Sequence, residues 1–207
     1  DGHNGSLTAT TVANILPNCF QQDHQFEYDF FDAAISYVDE KLQNEFNVSD
    51  GASLVCAQIS RKMNEIITAH LGDSCAMIAT VNGKAKLLTK KHLATSRKEF
   101  DRILLKGGRV VNRKTDGMLS ISRAIGDFGL VGLSNSPEFS HIKLADDDKF
   151  LVLGCAALFD SLTCIEIATA IKNCDSAWDA AYRLKNVAFG RKMSSNLSVI
   201  VVPLNFK

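Results

Sequence analysis

Between residues 26 and 46 the apolar side chains Phe26, Phe30, Ile35, Val38, Leu42 and Phe46 fall close to one helical face, with charged residues between them. This spacing predicts an amphipathic helix. A shorter helix is predicted over 7–16, where Leu7, Val12, Ile15 and Leu16 cluster ahead of Pro17. From Leu54 the pattern shortens to β-rich runs at 54–60, 65–72, 75–81 and 84–89. Asn82-Gly83 supplies the positive-φ pair that a tight hairpin between the last two favours. Ser96 followed three residues later by Glu99 reads as a capping box; the helix it opens carries Phe100, Ile103 and Leu104 and ends at Gly107-Gly108. Strands are predicted at 109–112, 118–122 and 149–154, with a polar, irregular stretch from Gly126 to Asp148. Thr163 with Glu166 caps a helix to about 172, Ser176 opens another through 190, and a strand at 197–203 closes the chain. The order predicts an α+β fold, an antiparallel β-rich core covered by helices, without internal repeat, linker or low-complexity tract.

Composition narrows the class. A chain of 207 residues, 46% hydrophobic, can bury one sizeable core, so a single domain over 1–207 is expected. Twenty-three basic and twenty-three acidic residues leave no formal net charge. That excludes a global electrostatic footprint for nucleic acid or an anionic membrane, so partners must be recognised locally. No apolar run of about 18 residues suggests a membrane span, and no basic region leads into an apolar signal segment, although the chain opens directly on a motif. The six cysteines (19, 56, 75, 155, 164 and 174) form no CxxC pair. Buried free thiols of a reducing, cytoplasmic compartment are expected rather than a disulfide framework or zinc site. Triplets NGS, NVS and NLS match glycosylation sequons but recur by chance and are discounted.

Seven segments, in order, carry more information: DGHNG at 1–5, DGASLVC at 50–56, HLGDSCA at 70–76, EFDRILLKGGRV at 99–110, LSISRAIGD at 119–127, FLVLGCAALFD at 150–160 and SSNLSVIVV at 194–202. Each alone is a weak pattern; in this order they are specific. Together they resemble the protein phosphatase 2C family, metal-dependent serine/threonine phosphatases. The resemblance implies two antiparallel sheets sandwiched between helical layers. It also implies strands before the DGH motif, an acidic metal contact and a phosphate-receiving arginine that this sequence does not display.

Hydrolysis at a two-metal site needs divalent cations roughly 4 Å apart and carboxylates to offset their charge. By the resemblance, Asp1 would bridge the metals and Gly2 would offer its carbonyl. The remaining acids of the set, from the family's SDG and DN motifs, fall at Ala156 and Ser195, a methyl group and a neutral hydroxyl. Neither supplies a hard anionic oxygen to magnesium or manganese. Asp73 and Asp160 match acids that contact a further, weaker metal, and their shared partner is again Ala156. His3 matches the leaving-group acid, a role suited to imidazole, but a polar side chain in a glycine-rich turn can hydrogen-bond the backbone, and for His3 alone that structural reading is preferred. Cys75 stands for an arginine, Lys91 for an acid and Ala157 for a glycine. Ser122 to Asp127 is intact and reads as scaffold. His24, His70, His92 and His141 show no ligand spacing.

The expected function is a catalytically inactive phosphatase 2C-like domain, a pseudophosphatase, acting as adaptor or regulator without a cofactor. Its partner would be a protein, with a kinase or phosphoprotein implied by the resemblance. The stretch 128–148, with Phe128, Leu130, Val131, Leu133 and Phe139, is a candidate contact surface, or a flap packed on its own domain. The alternative is an active Mn- or Mg-dependent serine/threonine phosphatase with altered ligands; a phosphate-recognising module is a third possibility.

Overall fold

The computed structural model describes residues 1–20, 27–46, 48–191 and 195–205. The chain opens with β1 (Gly2–His3), α1 (Leu7–Cys19) and α2 (Tyr28–Lys41), the last continuing into a π-helical turn, Leu42–Phe46. Next come β2 (Gly51–Ala52), β3 (Leu54–Ser60), β4 (Glu65–Leu71), β5 (Cys75–Thr80) and β6 (Ala85–Leu87). The middle holds α3 (Arg97–Leu105), β7 (Val110–Val111), β8 (Lys114–Thr115), β9 (Ile125–Gly126) and β10 (Glu138–Lys143). The chain closes with β11 (Asp148–Gly154), α4 (Ala156–Ser161), α5 (Cys164–Ile171), α6 (Ala177–Gly190) and β12 (Val199–Pro203).

These elements gather into two compact units that interleave along the chain. The first holds residues 1–54, 69–73 and 91–139. Its small sheet runs β1-β2-β9, and α1 contributes Val12 and Leu16 to the buried set while α2 contributes Phe31, Ala34, Ile35 and Val38. The second unit holds 55–68, 74–90 and 140–207. Its sheet runs β12-β11-β5-β6, with each neighbouring pair antiparallel. On one face Met77, Ala79, Phe150 and Val152 pack against Ile167 and Ile171 of α5 and Ala180, Leu184 and Ala188 of α6. On the other, Ala76, Ile78, Leu151 and Leu153 pack with Ile66 of β4 and Val55, Ala57 and Ile59 of β3. Alternate residues of β5 and β11 therefore feed two cores, which explains the apolar runs Cys75–Ala79 and Phe150–Leu153 within them.

Several sequence expectations need correction. α1 continues past Pro17 to Cys19; a proline in the last turn forfeits only one hydrogen bond. The long helix is interrupted by the π-turn, Phe31 rather than Phe30 is the fully buried aromatic, and Phe46 is exposed; Phe26 lies outside the described residues. Only Gly83 of the 82–83 pair has positive φ. Gly83 N donates to Thr80 O and Thr80 N to Lys84 O, both at 3.0 Å, the bonding of a turn followed by a left-handed residue rather than a two-residue loop. The 118–122 run makes isolated bridges, Leu93 to Ile121 and Thr115 to Leu119, not a strand. Conversely the stretch 126–148 contains β10, and α4 follows β11. The capping box at Thr163 and Glu166 forms as expected; the one at Ser96 does not, because Glu99 is engaged elsewhere.

Candidate active site

The first unit assembles a site from the chain's opening residues. Gly2 pairs with Ala52 and His3 with Gly51, and Asp1 extends the ladder by exchanging two 3.0 Å bonds with Ser53. β9 lies on the other side of β2, Gly51 opposite Gly126. This pairing brings His3 Nε2 to 2.5 Å from an Asp127 carboxylate oxygen. Gly51 is required between them: a β-carbon there would lie within the Asp127 carboxylate and 2.7 Å from His3 Nε2. Asp50 fixes the loop that follows, accepting from the Thr8 hydroxyl at 2.7 Å and the Thr8 amide at 3.2 Å, so the first turn of α1 is anchored to the residue before β2.

Asp1, Gly2, His3 and Asp73 line one cavity of about 130 Å³ with Ser53, Leu119, Ser120 and Ile121. Four sequence-predicted site residues are thus brought together within this unit. The other three positions belong to the second unit: Ala156 begins α4, Asp160 lies exposed on the same helix, and Ser195 is exposed ahead of β12. Ala156 offers a methyl group and Ser195 a neutral hydroxyl, neither of them a hard anionic donor for magnesium or manganese.

Asp127 was not singled out as a site residue; its intact segment, Ser122 to Asp127, read as scaffold. Asp127 bonds His3, and its segment is held from several sides. Glu99 of α3 accepts from Arg123 at 2.6 Å, Ser122 at 2.8 Å and Arg102 at 2.9 Å. Burial alone would raise this carboxyl, but bonding to Arg123, Ser122 and Arg102 prevails and holds it at about 2. Arg123 and Arg102 then reach the carbonyls of Ser136 and Gly132, so the clamp also grips the segment after Asp127. Asp39 of α2 holds it from below, accepting from Gly126 N at 2.9 Å and Asn135 Nδ2 at 2.7 Å, with its carboxyl raised chiefly by burial. Leu130 and Leu133 pack on Leu119, Ile121 and Ala124, and Phe139 on Phe31 and Tyr28. Three of the five apolar residues of the expected contact surface therefore pack on their own unit; Val131 stays 54% exposed.

His70, His92 and Glu138 form a second cluster, with donor atoms within 4.8 Å of one another. Sequence spacing gave no sign of it, since the three come from separate segments. Its geometry is that of a hydrogen-bond network rather than a cation site. The imidazoles stack 4.5 Å apart and 9° from parallel, so their in-plane lone pairs run side by side instead of converging. His92 Nδ1 accepts from the Gly72 amide at 3.2 Å, which places the ring proton on Nε2, 3.1 Å from Glu138 Oε2. Lys98 closes the network at 2.6 Å from Glu138 Oε1. Burial, with the charges of His70 and Arg123, pushes His92 down to about 4, so it is neutral at pH 7. His141 pairs with Glu65 at 2.9 Å, and His24 lies outside the described residues. No disulfide links any of the six cysteines.

The chain is similar to known proteins. The model of the family described as Protein phosphatase 2C matches residues 1–197. An adenylate cyclase of Lachancea kluyveri is 33% identical over 148 residues, which cover 70% of this chain and 8% of that protein. The human integrin-linked kinase-associated serine/threonine phosphatase 2C is 31% identical over 176 residues, covering 74% of this chain and 44% of that protein. The structure of a C. elegans sex determining protein superposes with a TM-score of 0.87 at 22% identity, covering 99% of this chain and 55% of that one; this likeness shows the fold. The chain spans well under two thirds of the length of each of these relatives.

Proposed function

The chain belongs to the protein phosphatase 2C family, and from that premise we infer that it is one phosphatase 2C-like domain that has lost hydrolysis and acts as an adaptor or regulator through protein contacts. The observation that carries this reading is the donor set. Asp1, Gly2 and Asp73 share a cavity, while Ala156 and Ser195 occupy positions that the family resemblance assigns to acids. When bound, a metal pair would supply an activated water and a polarised phosphate; without those two carboxylates its charge is not offset. His3, held by Asp127, keeps the orientation of a proton donor, and that pair also ties β1 to β9, a structural reason for its retention. The partner proposed is a protein. A kinase is the kind suggested by the name of the integrin-linked kinase-associated relative. The adenylate cyclase relative supports a regulatory role, because its matched stretch is a small part of a protein named for other chemistry.

The second reading is an active Mn- or Mg-dependent serine/threonine phosphatase with altered ligands. Asp1, Asp73 and His3 favour it, since two carboxylates and an imidazole oriented by Asp127 line one cavity. Calorimetric titration with manganese separates the two readings. The inactive domain is expected to show no tight two-site uptake; stoichiometric binding of two manganese ions would overturn that reading.

A further inference from the structure

The chain carries no net charge, yet one protrusion of the first unit is strongly biased. The last residue of α3, Leu105, is 87% exposed, and Met118 and Val111 are 58% and 41% exposed. Between them in sequence stand Lys106, Arg113 and Lys114, all exposed. None of the three makes an ion pair among the described residues. The nearby Arg109 is instead matched by Asp116 at 2.7 Å. The hairpin is rooted by Thr115, whose hydroxyl donates to Ile121 O at 2.8 Å, so its turn is displayed on a fixed base.

The turn itself is built against local preference. Val111 pairs with Lys114, leaving Asn112 and Arg113 as its two central residues, with φ of 51° and 66°. Glycine is favoured at the second of these positions, and a long side chain there costs conformational energy. The chain accepts that cost and sets a guanidinium at the tip. Cations on long apolar stems, interspersed with exposed aliphatic side chains and no aromatic anchor, match the water–lipid interface better than a protein hot spot.

We propose that the β7–β8 hairpin, with the end of α3, docks the domain on an anionic lipid surface. Arg113, Lys114 and Lys106 meet the headgroups while Leu105, Val111 and Met118 enter the acyl boundary. This proposal is independent of whether the domain hydrolyses phosphate.

The test is co-sedimentation of the whole chain with phosphatidylcholine vesicles, with and without phosphatidylserine. Binding only to the phosphatidylserine vesicles, weakening as salt rises, is expected. Each tip cation contributes about fivefold to affinity, so an Arg113→Gly, Lys114→Ser variant should lose about 25-fold. Arg113→Gly alone should bind less tightly yet melt a few degrees higher, because glycine relieves the strained turn; simple misfolding would lower both. Reversing Lys62 and Lys143, exposed cations elsewhere, should leave binding nearly unchanged. The proposal is overturned by indifference to phosphatidylserine, by equal losses in the Lys62/Lys143 variant, or by patch-dependent binding of polyglutamate without binding of vesicles.

Discussion

At the scale of single residues, the site depends on close approach and on where protons are held. Gly51 lets His3 and Asp127 meet, and the resulting bond ties strands that begin and end the first unit's small sheet. The buried His92 makes folding depend on pH. Its folded value, about 4, lies below the ordinary value of 6.5. The neutral ring is the form that folding favours, so this stabilisation is complete above pH 6.5 and is lost as pH falls toward 4. It amounts to about 3 kcal/mol at most. A His92→Gln variant should therefore show a flatter dependence of urea midpoint on pH across that window; an unchanged slope would remove His92 as the cause. Glu99, held at about 2, acts with the same sign at lower pH, its contribution fading below about 4.5. Glu99→Gln leaves Arg123, 9% exposed at its side chain, without its counter-charge, at an expected cost of roughly 3–5 kcal/mol. Thermal melting measures it, and a change under about 1 kcal/mol would show that solvent reaches the pair.

At the scale of elements, two similar sequence signals give different structures and should respond differently to mutation. Thr163 and Glu166 form a reciprocal capping box on α5, so Thr163→Ala should cost about 1 kcal/mol. Ser96 makes no side-chain bond to the amides of α3, so Ser96→Ala should cost well under half of that; denaturant midpoints of the two variants compare them directly. The cause lies in tertiary structure: Glu99, the reciprocal member, is drawn to Arg123, Arg102 and Ser122. Helices and strands with strong periodicity were legible, including β3 to β6, α5 and α6, because one face of each meets a core. β10 was not, since its residues are at most half-buried and its sequence mixes charge with apolar groups. Nor was α4, six residues following directly on a buried strand. In the site, Asp1, Gly2, His3 and Asp73 could be read from ordered motifs. The His70–His92–Glu138 network could not, because contacts between distant segments leave no periodic trace.

At the scale of the whole molecule, the chain has the family's fold, and the proposed loss of hydrolysis rests on its donor chemistry. The scaffold around the candidate site is fully engaged: Asp50 at α1, Asp39 and Glu99 gripping the Ser122–Asn135 region, Asp127 on His3. These are contacts a folded domain needs whether or not it hydrolyses phosphate, so their survival is compatible with loss of activity. The proposal turns instead on Ala156 and Ser195, where the family resemblance places acids and this chain has a methyl group and a hydroxyl. The decisive measurement is hydrolysis of a small aryl phosphate and a phosphopeptide across a manganese titration, comparing this chain with an Ala156→Asp, Ala157→Gly, Ser195→Asp variant. The account predicts a silent native chain and a variant that turns over with manganese. Manganese-dependent turnover by the native chain would contradict it and require a different ligand set.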